Sequence, residues 1–244
     1  MDNLTEEQER IYAKFMAKSY ALFAIGLSII AGCILLLERI PIGDWIQGDG
    51  IMVTFIIAYF FLLMAIIGLV GHLFFNRDEL TTNSAARGFF VSCALIGVAA
   101  AGFHTSKSLS DAWEILASVF TAFVVLAFFG SRFRGRFAPL FAGLFYLGSN
   151  LMAHVLVAVW NYPEINVDSD LPSKVFWVGF WSLAVAHNAQ TIRREAIVAT
   201  KTGESPLTEK APIFGALRLL ISFLMMLHHG FELAKGLSKS ERDS

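Results

Sequence analysis

The last two apolar stretches of the chain carry polar side chains where a hydrocarbon environment makes them costly. The first, VFWVGFWSLAVAHNAQTIRREA from Val175, holds His187, Asn188 and Gln190. The second, IFGALRLLISFLMMLHHGFELAKG from Ile213, holds Arg218, Ser222, His228, His229 and Glu232. An ionisable group at the centre of a membrane helix costs about 2.5–3.5 kcal/mol on insertion scales, so each is a candidate for function. Arg218 has two outlets: lipid phosphates at the cytosolic face, or a polar group on the preceding helix, where Asn188 offers only an amide oxygen. Ser222 lies one turn beyond Arg218 on the same face. His228 and Glu232 are four apart and also share a face, so they could hold a proton or take part in a metal site. A zinc site needs three or four converging ligands, and the remaining histidines (His72, His104, His154 and His187) are single and scattered. His187 and Gln190, like His228, His229 and Glu232, sit near helix ends, from which polar tips reach the interface.

No HExxH, GxSxG, phosphate-cradling loop or dinucleotide fingerprint occurs. The expectation is therefore a protein without cofactor or resident metal, and not an enzyme. Cys33 and Cys93 both lie in apolar runs and read as buried thiols rather than a disulfide framework.

The elements that must position these residues are membrane helices. Of 244 residues, 56% are hydrophobic and 16% charged, against about 25% charged in a soluble domain. A net charge of -1 gives nucleic acid nothing to hold. The bilayer is the first partner expected, and an all-α, polytopic bundle of seven transmembrane helices the expected fold. Apolar runs place the spans at about 19–37, 51–75, 88–104, 113–130, 139–159, 175–189 and 213–233. The runs are uniformly apolar rather than alternating, which argues against a barrel. Residues 1–18 read as a polar cytosolic lead, 19–233 as the membrane domain and 234–244 as a polar tail. Trp160 and Tyr162 stand where interfacial aromatics belong. The first span ends in Glu38 and Arg39 instead of a small-residue cleavage site, so it reads as retained.

Basic residues set the orientation. Twelve fall in the lead and the even-numbered links: Arg10, Lys14 and Lys18; Arg77 and Arg87; Arg132, Arg134 and Arg136; Arg193, Arg194, Lys201 and Lys210. Six fall on the other side, three of them in the tail. The excess places the N-terminus in the cytosol. A bacterial inner membrane is the expected location, with a eukaryotic endomembrane as the alternative.

Residues 85–236 resemble the Bax inhibitor family (transmembrane Bax inhibitor motif proteins). HNAQTIRR at 187–194 is similar to the family's Tyr-Asp-x-Gln-x-Ile-basic ending of span six, and ALRLLISFLMML at 216–227 to its Ala-Leu-x-Leu-Tyr-Leu-Asp-Phe-Ile-Asn-Leu-Phe span seven. FTAFVVLAFFGSRFRGRFAPLFAGLFYLG at 120–148 resembles its span four, basic turn and entry to span five, and Arg87-Gly88-Phe89-Phe90 the start of span three. The resemblance implies a bundle with one central span and, in its better-understood members, a pH-sensitive calcium leak. There two aspartates, on spans six and seven, share a proton and gate a pore with help from an arginine. Two carboxylates close together in low dielectric cannot both ionise.

The matching gate positions here are Asn188 and Ser222, neither of which titrates, so calcium binding by that pair is not expected. His187 and Leu220 replace family tyrosines. What the resemblance leaves is a polar contact of Asn188 with Ser222, and polar roles for His187 and Arg218. It implies either a cation leak without its pH gate or a non-transporting regulator that binds other membrane proteins, such as a protease or a cell-death factor. A seven-span hydrolase with histidine-bound metal, using residues such as His228 and Glu232, is the remaining alternative.

Overall fold

The structure is a computed structural model that describes residues 5–38, 49–103, 109–132, 171–202 and 205–240. All regular structure among the described residues is α-helical: α1 (Glu6–Glu38), α2 (Asp49–Phe75), α3 (Thr82–Phe103), α4 (Leu109–Arg132), α5 (Leu171–Thr202) and α6 (Ser205–Ser240). Four of the expected spans are long and apolar enough to cross a membrane: Glu6–Leu37, Ile56–Phe75, Thr82–Ala101 and Glu209–Leu233. These helices are consistent with a multi-pass membrane protein. α4 contributes a shorter apolar run, Ser118–Ser131. The span expected at 139–159 lies outside the described residues, as do Trp160, Tyr162, Arg134 and Arg136.

Helix starts follow local chemistry. Thr5 and Gln8 form a reciprocal cap: the Thr5 amide donates to Gln8 Oε1 at 3.0 Å and the Gln8 amide to Thr5 Oγ1 at 3.3 Å. The lead is therefore already helical from Glu6, and it runs into the first span without a break. Thr81 caps α3 from one side only, its hydroxyl accepting from the Ser84 amide at 3.2 Å. Pro172 occupies the first turn of α5, where its missing N–H costs nothing. The expected end of span six at 189 is not the end of the helix: α5 continues through the basic run to Thr202, because TIRREAIVATKT contains no breaker. At about 1.5 Å per residue, α5 and α6 exceed the roughly 30 Å hydrocarbon core by many ångströms. α6 likewise carries the polar tail as helix to Ser240.

The chain divides into two compact units. One comprises Met1–Lys107 with Arg194–Leu220, the other Ser108–Arg193 with Ile221–Ser244. In the first, α3 packs against α1 and α2. Phe23 and Ile30 of α1, Phe89 and Cys93 of α3, and the run from Ala211 to Leu217 of α6 are buried there. Close approach requires glycine: a Cβ on Gly97 would meet the Ile30 carbonyl at 3.0 Å. In the second unit, Phe223 is packed edge-on by Phe120 and Phe123, with ring centroids 6.2 and 5.1 Å away. Gly130 of α4 lies directly on the Ala186 carbonyl of α5, where any Cβ would overlap it. The four long apolar helices differ in burial: 67% of the apolar window of α6 is buried within the protein, against 6% for α2. Ile56, Phe60, Phe61, Met64 and Ile67 of α2 are exposed. Such a helix suits lipid and would be costly in water.

Candidate functional site

Two polar clusters involve the last two helices, one in each unit. In the second unit, Asn188 Nδ2 donates to Ser222 Oγ at 2.7 Å, the contact expected between those positions. Ser222 is 1% exposed. Small or short neighbours allow the approach: Val185, Ala186 and Ala189 on α5 are buried around Asn188. Neither partner changes charge in the physiological range, so the bond persists across pH. Polar side-chain bonds between membrane helices contribute about 0.6 kcal/mol on average and at most about 1.7. The pair therefore aligns the helices more than it stabilises them.

His187 is half-buried, and its main-chain carbonyl accepts the Thr191 hydroxyl at 3.0 Å. Gln190 is buried. His228 is exposed, with its ring 5.0 Å from that of His229, and His229 stacks on Trp177 at 5.6 Å and 13°. The ring geometry gives His229 a packing role. No group of three or more His, Cys, Asp or Glu side chains placed to hold a metal ion occurs among the described residues.

The first unit holds a cluster that sequence reasoning missed. Glu195, six residues beyond the expected end of span six, accepts through Oε1 from Arg77 Nη1 at 2.9 Å and from Arg218 Nη1 at 3.1 Å. Arg218 thus finds a carboxylate on α5 rather than the Asn188 amide. Its side chain and that of Arg77 are each 24% exposed, and that of Glu195 is 20% exposed. Phenyl rings back both guanidinium groups: Arg77 lies 5.3 Å from the Phe214 centroid and Arg218 5.8 Å from that of Phe74. Glu195 Oε2 is buried and makes no hydrogen bond among the described residues.

Around this triad the same end of the unit is tied together. Lys210 Nζ donates to the carbonyls of Leu80 at 3.0 Å, Asp78 at 3.2 Å and Arg77 at 3.5 Å, closing the turn after α2. Lys18 donates to the Glu209 carbonyl at 3.2 Å, and Thr82 to the Glu209 carboxylate at 3.2 Å. Lys18, the link after α2 and the start of α6 therefore share one end. Those are segments that the basic-residue count assigned to one side of the membrane.

No protein-family model matches the chain, and no curated protein sequence matches it.

Proposed function

We propose that this protein is a seven-span integral membrane bundle of Bax-inhibitor type, with a cytosolic N-terminus, that acts as a non-transporting regulator of other membrane proteins. The observation that carries this reading is the 2.7 Å hydrogen bond between Asn188 and Ser222. Sequence resemblance aligns these two positions with the proton-sharing aspartates of that family, and here they meet as a neutral pair. A titrating pair can repel when both members ionise and so part the helices. A neutral amide–hydroxyl pair has no such second state, and nothing in it draws in calcium. The grouping of Lys18, the 76–81 link and Glu209 and Lys210 at one end supports the orientation.

The test is reconstitution of the full chain into liposomes, with calcium entry followed from pH 5 to 8. The expected result is no flux above protein-free liposomes at any pH, together with recovery of a stoichiometric membrane-protein partner from detergent-solubilised membranes. Calcium flux, or purification without any partner, overturns the reading.

A further inference from the structure

We infer that Arg77 and Arg218 form a binding site for a phosphate group at the end of the bundle where α2 closes and α6 begins. Two guanidinium groups converge on one carboxylate oxygen, at 2.9 and 3.1 Å. A single carboxylate neutralises one of them, so the triad keeps an excess positive charge. The unused oxygen of Glu195 is buried and bonds neither arginine, so the carboxylate engages each through one N–H only. Each guanidinium presents five donors in a planar fork. One donor of each is committed to Glu195, and both groups remain part-exposed.

The two rings behind them, Phe214 and Phe74, lie 6.0 Å apart and hold the forks in place. Two fixed guanidinium forks with spare donors suit a tetrahedral oxyanion, and arginine recognises phosphate in this bidentate manner. The surrounding groups allow it. Lys210 and Lys18 add positive charge at the same end, and the Glu209 carboxylate is engaged by Thr82. Asp78 and Glu79 are exposed. On the membrane reading, this end lies at the headgroup level, where the phosphate of an anionic lipid is the most concentrated source. A soluble phosphate carries the same chemistry.

The assay uses the full chain in dodecyl maltoside micelles, which carry no phosphate, titrated either with phosphatidylglycerol or with inorganic phosphate. Thermal stabilisation and lipid retained in native mass spectrometry are both read. Stabilisation by phosphatidylglycerol alone identifies a lipid headgroup, and stabilisation by inorganic phosphate identifies a soluble anion as a ligand. No response to either overturns the proposal. Arg77→Gln and Arg218→Gln should each weaken anion binding about threefold to tenfold, as expected for loss of one charge at contact distance in a part-exposed site. Arg77→Lys, which keeps the charge and loses the fork, should fall between. Glu195→Gln removes the competing carboxylate and should tighten anion binding by a similar factor. That sign separates a ligand site from a strut, because a strut loses with every member removed. Weakening in Glu195→Gln overturns the proposal, as does an equal loss in Lys14→Gln, an exposed position on α1. Should the arginine variants not fold, the opposite sign expected for Glu195→Gln still decides.

Discussion

Because Arg77 and Arg218 share one oxygen of Glu195, their contributions to stability should not add. Each N–O contact, at 2.9 or 3.1 Å, places opposite charges about 4 Å apart, worth about 4 kcal/mol at an effective dielectric of about 20. The two guanidinium nitrogens are at most about 6 Å apart, and their mutual repulsion is then of order 2–3 kcal/mol. Side-chain exposure of 20–24% reduces all of these through solvent screening. Removing one arginine therefore loses an attraction and relieves a repulsion, and the net cost should be about 1 kcal/mol or less. Removing both strands Glu195 part-buried without a cation, which costs about 3 kcal/mol. The assay is reversible unfolding in bicelles or mixed micelles of Arg77→Ala, Arg218→Ala and the double variant. The double variant should cost at least about 1 kcal/mol more than the two singles together. Strict additivity within about 0.3 kcal/mol would refute the shared-oxygen account.

Two further expectations concern packing and the turn after α2. Gly130→Val should be destabilising by about 2–3 kcal/mol, since its Cβ overlaps the Ala186 carbonyl, whereas Gly32→Ala, with nothing within 4 Å, should be neutral or slightly stabilising; melting temperatures in detergent compare them. Lys210→Met should free the carbonyls of Arg77, Asp78 and Leu80, cost about 1–2 kcal/mol, and raise amide exchange across residues 77–81, with exchange within α2 itself little changed.

The helical, membrane-type architecture was legible because hydrocarbon imposes one strong rule: long, uniformly apolar runs satisfy their backbone internally. Four such runs appear as helices long enough to span. The Thr5–Gln8 cap was also open to reading, as T-x-x-Q before a helix-forming run, yet the polar character of 1–18 suggested a lead rather than the first turns of α1. Hydropathy marks where a helix leaves the apolar layer, not where it stops. That is why hydropathy ends the sixth span near 189 while α5 runs on past Glu195 to Thr202. A signal for it existed. Glu195 lies seven residues, close to two full turns, after Asn188, and it is the one acidic residue in the run TIRREA. Its partner Arg77 is 118 positions away in sequence, and nothing local announces that pairing. The Asn188–Ser222 contact came through resemblance alone, since two uncharged residues on separate apolar helices carry no pairing signal of their own.

The central claim, that Asn188 and Ser222 form a neutral counterpart of a titrating gate, is tested most directly by giving the pair its charges back. Calcium flux through the reconstituted Asn188→Asp, Ser222→Asp variant should depend on pH between 5 and 8, while the unmodified protein stays flat at the background level. pH-dependent flux through the unmodified protein, or a double variant indistinguishable from it, would contradict the account.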